Sequence, residues 1–181
     1  MSEAQRQVGA DPGELEVVRV DASNWRTYRD VRLAMLQGAP RAFWTTYEQA
    51  ASRTDEEWEQ LVGQTTTWLA LVEGSAVGSV GSFRLADRPE DECVLVGMWV
   101  DPSARGRGVG ERLVQTVLDA AAQQGLRRVV LEVAHENAPA LALYERMGFR
   151  ATGHTGVMPH DPSITELEME RFVGELPAGS W

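Results

Sequence analysis

Val96-Gly97-Met98-Trp99-Val100-Asp101-Pro102-Ser103-Ala104-Arg105-Gly106-Arg107-Gly108-Val109-Gly110 is the stretch that decides the reading of this 181-residue sequence. Its first part continues an apolar run from Cys93, which reads as a strand buried on both faces. Asp101-Pro102 stops that strand. A glycine-rich turn follows and opens directly onto a helix over 108–124, where Val109, Leu113, Val117 and Ala120/Ala121 recur at helical spacing and Gly125 sits past the end. Backbone N–H groups at a helix start are unpaired and carry partial positive charge. Glycines let an anion come close to them. Strand, turn and helix together predict a diphosphate cradle. The turn lacks the Gly-x-x-x-x-Gly-Lys-Ser/Thr pattern of a nucleotide P-loop. It also departs from Gly-x-Gly-x-x-Gly, because Glu111 stands where the third glycine would fall.

Working outward, Leu15 to Val20 reads as a strand. Asp21 or Ser23 then caps a helix carrying Trp25, Tyr28, Val31, Met35 and Leu36 on one face, ended by Gly38 and Pro40. Thr54 and Glu57 have capping-box spacing, so a second helix runs from Asp55 to Gly63. Thr67 to Val72 and Ala76 to Leu85 read as strands joined by a turn at Glu73-Gly74-Ser75. After the Cys93–Val100 strand and its helix come a strand over 128–133, a short helix from Pro139 to Met147, and two strands near 149–153 and 165–171. The order is one strand, two helices, three strands, helix, strand, helix, two strands. It predicts an α/β fold, a mixed twisted sheet with helices on its faces and a parallel crossover around the 108–124 helix. A single domain over 14–176 is expected, with polar tails at 1–13 and 177–181.

The formal net charge of −10 argues against nucleic acid and anionic membranes as partners and favours a cationic acceptor such as an amine. All 17 Lys/Arg positions are arginine, which removes lysine as a base or Schiff-base former. Cys93 is the only cysteine, and beside Val94-Leu95-Val96 it reads as a buried structural thiol. One cysteine, no signal-peptide pattern in Met1–Gly13 and no bilayer-length apolar run make a cytoplasmic protein the expectation. His154, His160 and Asp161 lack metal-ligand spacing, so no metal is expected.

The turn matches Arg/Gln-x-x-Gly-x-Gly/Ala at Arg105-Gly106-Arg107-Gly108-Val109-Gly110. Downstream, Asn137-Ala138-Pro139-Ala140-Leu141-Ala142-Leu143-Tyr144-Glu145-Arg146-Met147-Gly148-Phe149 matches Asn-x-x-Ala-x-x-Leu-Tyr…Gly-Phe. In these two blocks, their separation and the element order, the sequence resembles the GNAT superfamily of N-acetyltransferases from Leu15 to Phe172. The resemblance implies acetyl transfer from acetyl-CoA, a cosubstrate, to a primary amine by direct attack in a ternary complex. A small-molecule acceptor is expected. The alternatives are a protein N-terminus or side chain, or a non-catalytic acyl-CoA-binding module. Relatives often form homodimers, though no interface signature is visible.

The resemblance also assigns roles. Backbone groups of Met98, Trp99 and Val100 would face the pantetheine arm and the acetyl carbonyl. Gly106, Arg107, Gly108, Val109, Gly110 and Glu111 would surround the diphosphate, with Arg105 and Arg107 adding charge. Asn137 would touch the cofactor arm, and it also suits a helix N-cap. Tyr144 would protonate the leaving thiolate, although without the motif it would read as a core aromatic. For the base, Leu131-Glu132-Val133 resembles the ribosomal-protein alanine acetyltransferase branch, which makes Glu132 the first candidate, ahead of Glu92 and His135. An acid inside an apolar strand also needs a physical reason. The helical region from Trp25 to Gly63, with Phe43, Trp44, Tyr47 and Trp58, and the segment 155–164 would wall the acceptor pocket.

Overall fold

A computed structural model describes residues 15–174. The two tails expected from the sequence lie outside the described residues. The chain runs β1 (Leu15–Arg19), α1 (Trp25–Gly38), α2 (Tyr47–Ala51), α3 (Asp55–Gln64), β2 (Thr66–Val72), β3 (Ser75–Phe83), β4 (Glu92–Val100), a 3₁₀ turn (Pro102–Ala104), α4 (Val109–Gln123), β5 (Arg128–Ala134), α5 (Ala138–Arg146), β6 (Arg150–Met158) and β7 (Asp161–Phe172). One seven-stranded sheet has the order β1-β2-β3-β4-β5-β7-β6. Only β4 and β5 run parallel; every other neighbouring pair is antiparallel. This is the mixed sheet that the element order predicts. Among the described residues no helix is long and apolar enough to cross a membrane.

The two faces of the sheet carry separate cores. On one side α4 and α5 bury Leu113, Val117, Leu143 and Tyr144 against Leu95, Val129, Leu131 and Met169. On the other, α1 presents the five residues its periodicity marks, Trp25, Tyr28, Val31, Met35 and Leu36, to Trp58, Leu69 and Trp99. Tyr28 meets Trp58 edge-on, with ring centroids 6.2 Å apart. Cys93 is buried beside Leu95. Burial and then the neighbouring Glu92 charge push its thiol up to about 11, so it stays protonated at neutral pH.

Four elements depart from the sequence reading. α1 starts after Asn24 with no side-chain cap, rather than from a cap at Asp21 or Ser23, and β7 starts at Asp161, ahead of the expected 165. α2 has only five residues, too few for a hydrophobic period, but Thr46 and Gln49 form a capping box that holds it. β6 is longer than its sequence signals, because it lies at the sheet edge and almost all its residues are exposed. With β7 it forms a hairpin that takes up most of the 155–164 segment.

Two glycines give opposite expectations. A β-carbon at Gly78 would lie 2.6 Å from the Trp99 carbonyl oxygen, so Gly78→Ala must push β3 from β4 and should cost about 2 kcal/mol or more in urea denaturation. Gly63 lies inside α3 with open space around it, so Gly63→Ala should stabilise by about 0.5–1 kcal/mol through helix propensity.

Candidate active site

The site begins where β4 and β5 stop pairing. Glu92 pairs with Arg128, Cys93 with Val129 and Val94 with Val130, and no further pairs follow. β4 instead stays with β3, and β5 stays with β7 along its whole length. Between the Val96–Gly81 and Trp99–Ser79 pairs, β4 holds one more residue than β3. This bulge is centred on Gly97, at φ 57°. It reverses the alternation of β4, so Val100 joins Cys93 and Leu95 on the α4 side while Trp99 packs with α1. The Asp101 amide donates to the Val77 carbonyl at 2.7 Å. By the two-residue alternation of a strand, Trp99 also turns its backbone groups to β3, and Val100 turns its own toward the split.

The split opens into a cavity of about 500 Å³. Met98 of β4 and Asn137, Ala140 and Tyr144 of the α5 segment line it, together with Glu132 of β5, Glu166 and Glu168 of β7, Arg32 of α1 and Arg53 from the link between α2 and α3. Tyr144 is 6% exposed, packs edge-on against Phe149, and its hydroxyl has no hydrogen bond to the described residues. Burial raises its phenol well above the ordinary range, so it stays protonated. Asn137 caps α5, its side-chain oxygen accepting from the Ala140 amide at 3.3 Å.

Acidic residues are sorted by their partners. Glu92, 1% exposed, accepts from Arg88 at 3.0 Å and Arg128 at 2.7 Å. Arg128 also pairs with Glu170 at 2.7 Å, and Arg88 with Glu168 at 2.7 Å. Burial pushes the Glu168 carboxyl up, but hydrogen bonds from Arg88 and Thr152 outweigh it and hold the group low. Glu92, a weaker candidate base from the sequence, is thus locked in an ionic clasp at the closed end of the split. Glu132 and Glu166 have no arginine partner among the described residues. Burial raises Glu132, and the nearby Glu166 charge adds to it. Burial also raises Glu166, against the hydrogen bond from the Trp44 indole N–H at 2.9 Å.

Residues between α1 and α2 strap the cavity. Trp44 reaches Glu166; the Phe43 carbonyl lies 2.7 Å from His160 Nε2; Arg41 pairs with Glu136 at 2.9 Å and Asp161 at 3.0 Å. The 155–164 segment therefore anchors the strap at His160 and Asp161, while Glu166 and Glu168 of β7 supply the wall expected of it. Tyr47 is exposed and Trp58 is core.

The glycine turn lies outside this cavity but against its wall. Gly106 and Gly108 have φ of 72° and 78°, and a β-carbon on either would meet nothing within 4 Å. Gly108 precedes α4 without a side-chain cap, so the amides that start the helix have no capping partner. Those open glycines and free amides fit a diphosphate. Arg105 donates from Nε to the Val100 carbonyl at 3.0 Å, while Arg107 is exposed. Val109 is buried in the core, and Glu111 pairs with Arg146 of α5 at 2.9 Å. Gly110 is a contact point, since a β-carbon there would lie 3.1 Å from Leu143 and 3.2 Å from the Met98 methyl. The turn is thereby pressed against the residues that carry Met98 and Tyr144.

Glu166 is the residue that sequence reasoning missed. Glu166, Glu168 and Glu170 alternate along β7 like a solvated strand face. Glu166 and Glu168 are instead 4% and 7% exposed. The signal was the register: Glu132 sits opposite Glu168 and Ala134 opposite Glu166.

The raised Glu166 carboxyl has a stability consequence. The wild type gains stability from protonated Glu166 below the unfolded value, and loses it as the pH rises through the higher folded value. Glu166→Gln mimics the protonated form. Its melting temperature should exceed wild type at about pH 7.5, with the margin closing toward about pH 4. A margin independent of pH would contradict this account.

Residues 30–149 match the family model described as "Acetyltransferase (GNAT) family". Human N-acetyltransferase 8B is 34% identical over 141 residues, 75% of this chain and 62% of its own length. The chain spans 49% of human N-acetyltransferase 8, which is 37% identical over 113 residues; it thus covers less than two thirds of the curated relatives it matches. Among solved structures, a GCN5-related N-acetyltransferase from Kribbella flavida superposes with a TM-score of 0.71 at 25% identity, over 88% of this chain and 98% of that one. With the split strands, the glycine turn and the matched span together, the chain belongs to the GNAT acetyltransferase family.

Proposed function

We propose that this chain is an N-acetyltransferase that moves the acetyl group of acetyl-CoA to the primary amine of a small molecule, by direct attack while both are bound. The observation that carries this reading is the cavity at the split, lined both by Tyr144 and by the arginine-free carboxylates Glu132 and Glu166. Acetyl-CoA supplies a thioester carbonyl and a thiol leaving group. Gly106, Gly108 and the first amides of α4 hold its diphosphate. The unpaired edges of β4 and β5 offer N–H and C=O groups to the amide-rich arm. Met98 and Asn137 line its path.

An attacking amine must be neutral, yet such groups have pKa values of about 10.4. Glu132 takes the proton, and Glu166 holds the ammonium form on entry and shares the load. A carboxyl with a raised pKa is the better acceptor. As the new C–N bond forms and the C–S bond breaks, the phenol of Tyr144 gives its proton to sulfur, and the second proton shed by the acylated nitrogen restores the phenol. The strap through Trp44 excludes water and restricts the mouth, which favours a small acceptor over a folded protein. Glu132, open at the cavity mouth, is the feature that a peptide acceptor would use.

Thiol release from acetyl-CoA with a panel of amines and N-terminal peptides tests this. Tyr144→Phe keeps the ring packed and should lower kcat by about 10²-fold or more, and Glu132→Gln should lower it by a similar order. Full activity in Tyr144→Phe would reject the phenol as the acid. Release with peptides alone would move the acceptor to polypeptide.

A further inference from the structure

Arg32 of α1 and Arg53, in the link between α2 and α3, line the cavity. Arg32 Nε and Arg53 Nη1 are buried and have no hydrogen-bond partner. Neither arginine forms an ion pair among the described residues, and among the described arginines these two alone leave a buried nitrogen without a hydrogen-bond partner. Each instead has an aromatic ring beside it, Phe43 at 5.8 Å and Trp58 at 5.2 Å. Ring faces offset only part of the cost of desolvating a guanidinium. In a chain with a net charge of −10, two half-buried guanidinium groups that line a cavity without a carboxylate partner need a reason.

Their position supplies one. Arg32 Nη1 would lie 3.0 Å from a β-carbon at Gly97, so its head rests against the β3–β4 bulge, just past the point where β4 and β5 part. Thr65 and Thr67 line the same cavity. β5 and β7 bring the carboxylates Glu132 and Glu166 to it, and neither is ion-paired with Arg32 or Arg53. We infer that the acceptor is a free amino acid or a close analogue, whose carboxylate docks on Arg32 and Arg53 while its amine faces Glu132 and Glu166. The guanidinium fork matches a carboxylate in bidentate geometry. The size of the cavity suits one small acid beside the acyl arm. A polypeptide N-terminus presents no carboxylate at that spacing, and a simple amine presents none at all. This rests on the acetyl-transfer reading above, and the test keeps the two apart.

Matched sets make the test: an amino acid, its amide and the amine lacking the carboxyl group, for example phenylalanine, phenylalaninamide and phenethylamine, with leucine and glutamate series alongside. The acid should be acetylated with a kcat/KM roughly tenfold to a hundredfold above its amide. In Arg32→Met and Arg53→Met that ratio should fall toward one. Because a half-buried guanidinium with an unpartnered Nε is lost, Arg32→Met should melt no lower than wild type, an outcome a structural arginine would not give. In equilibrium titration of the CoA-saturated protein, N-acetyl amino acids should bind tighter than their amides, and Arg32→Met should abolish the difference. Acids and amides turned over equally would overturn the inference and leave the acetyltransferase reading standing. Arginine-dependent binding of the acids without turnover of any amine would support the anion site and overturn the acetyltransferase reading. Equal binding of acids and amides overturns the inference whatever the turnover.

Discussion

The carboxylate of Glu92, buried between the guanidinium groups of Arg88 and Arg128, holds the one place where β4 and β5 run side by side. Glu92 and Arg128 are themselves the first paired residues of the two strands. A buried carboxylate stripped of its partners would be strongly destabilising, so the clasp cannot drift along the sheet. With the junction pinned there, the divergence of the strands starts at a fixed point, two residues further on. Everything in the site is measured from that point: which backbone groups lose their ladder partners, how far the cavity reaches, and where α5 can lean in.

The divergence itself comes from one extra residue. The bulge at Gly97 adds twist to β4 and carries it away with β3. β5 cannot follow, because β7 pairs with it from Arg128 to Ala134. The bulge also swaps the faces of β4, which sends Trp99 into the α1 core and turns Met98 and Val100 toward α4 and α5. A phenol on the α5 side of the sheet and carboxylates in a cavity bounded by α1 thereby share one space, although a closed sheet would have separated them.

The sequence made the scaffold legible because the scaffold obeys local rules. Periodicity marked the buried face of α1, the capping box fixed the start of α3, and the glycine turn located the start of α4 within one residue. The Leu-Tyr block brought Tyr144 to α5. What stayed hidden depends on distance in the chain. The alternating glutamates of β7 look solvated until β5 is placed beside them, and Arg53 looks like a loop arginine until Trp58 and the cavity wall close over it. The strap pairs Arg41 with Asp161 and Trp44 with Glu166, contacts that no short window of sequence can join.

Charges elsewhere in the protein obey ordinary economy, and the cavity does not. Arg88, Arg128, Glu92, Glu168 and Glu170 satisfy one another, as buried ions must. Around the cavity, buried Glu166, exposed Glu132 and half-buried Arg32 and Arg53 line one space and yet form no ion pair with each other. Unlike charges in a flexible protein would close such a gap. Here the sheet prevents it: Glu132 and Glu166 stand on β5 and β7, Arg32 on α1 is packed through Val31 and Met35 into the core, and Arg53 is fixed between capped α2 and α3. The scaffold therefore keeps apart two sets of groups that would be more stable together or absent. Local violations of this kind persist where a ligand supplies what the protein withholds. A molecule carrying both an ammonium and a carboxylate would complete both sets at once.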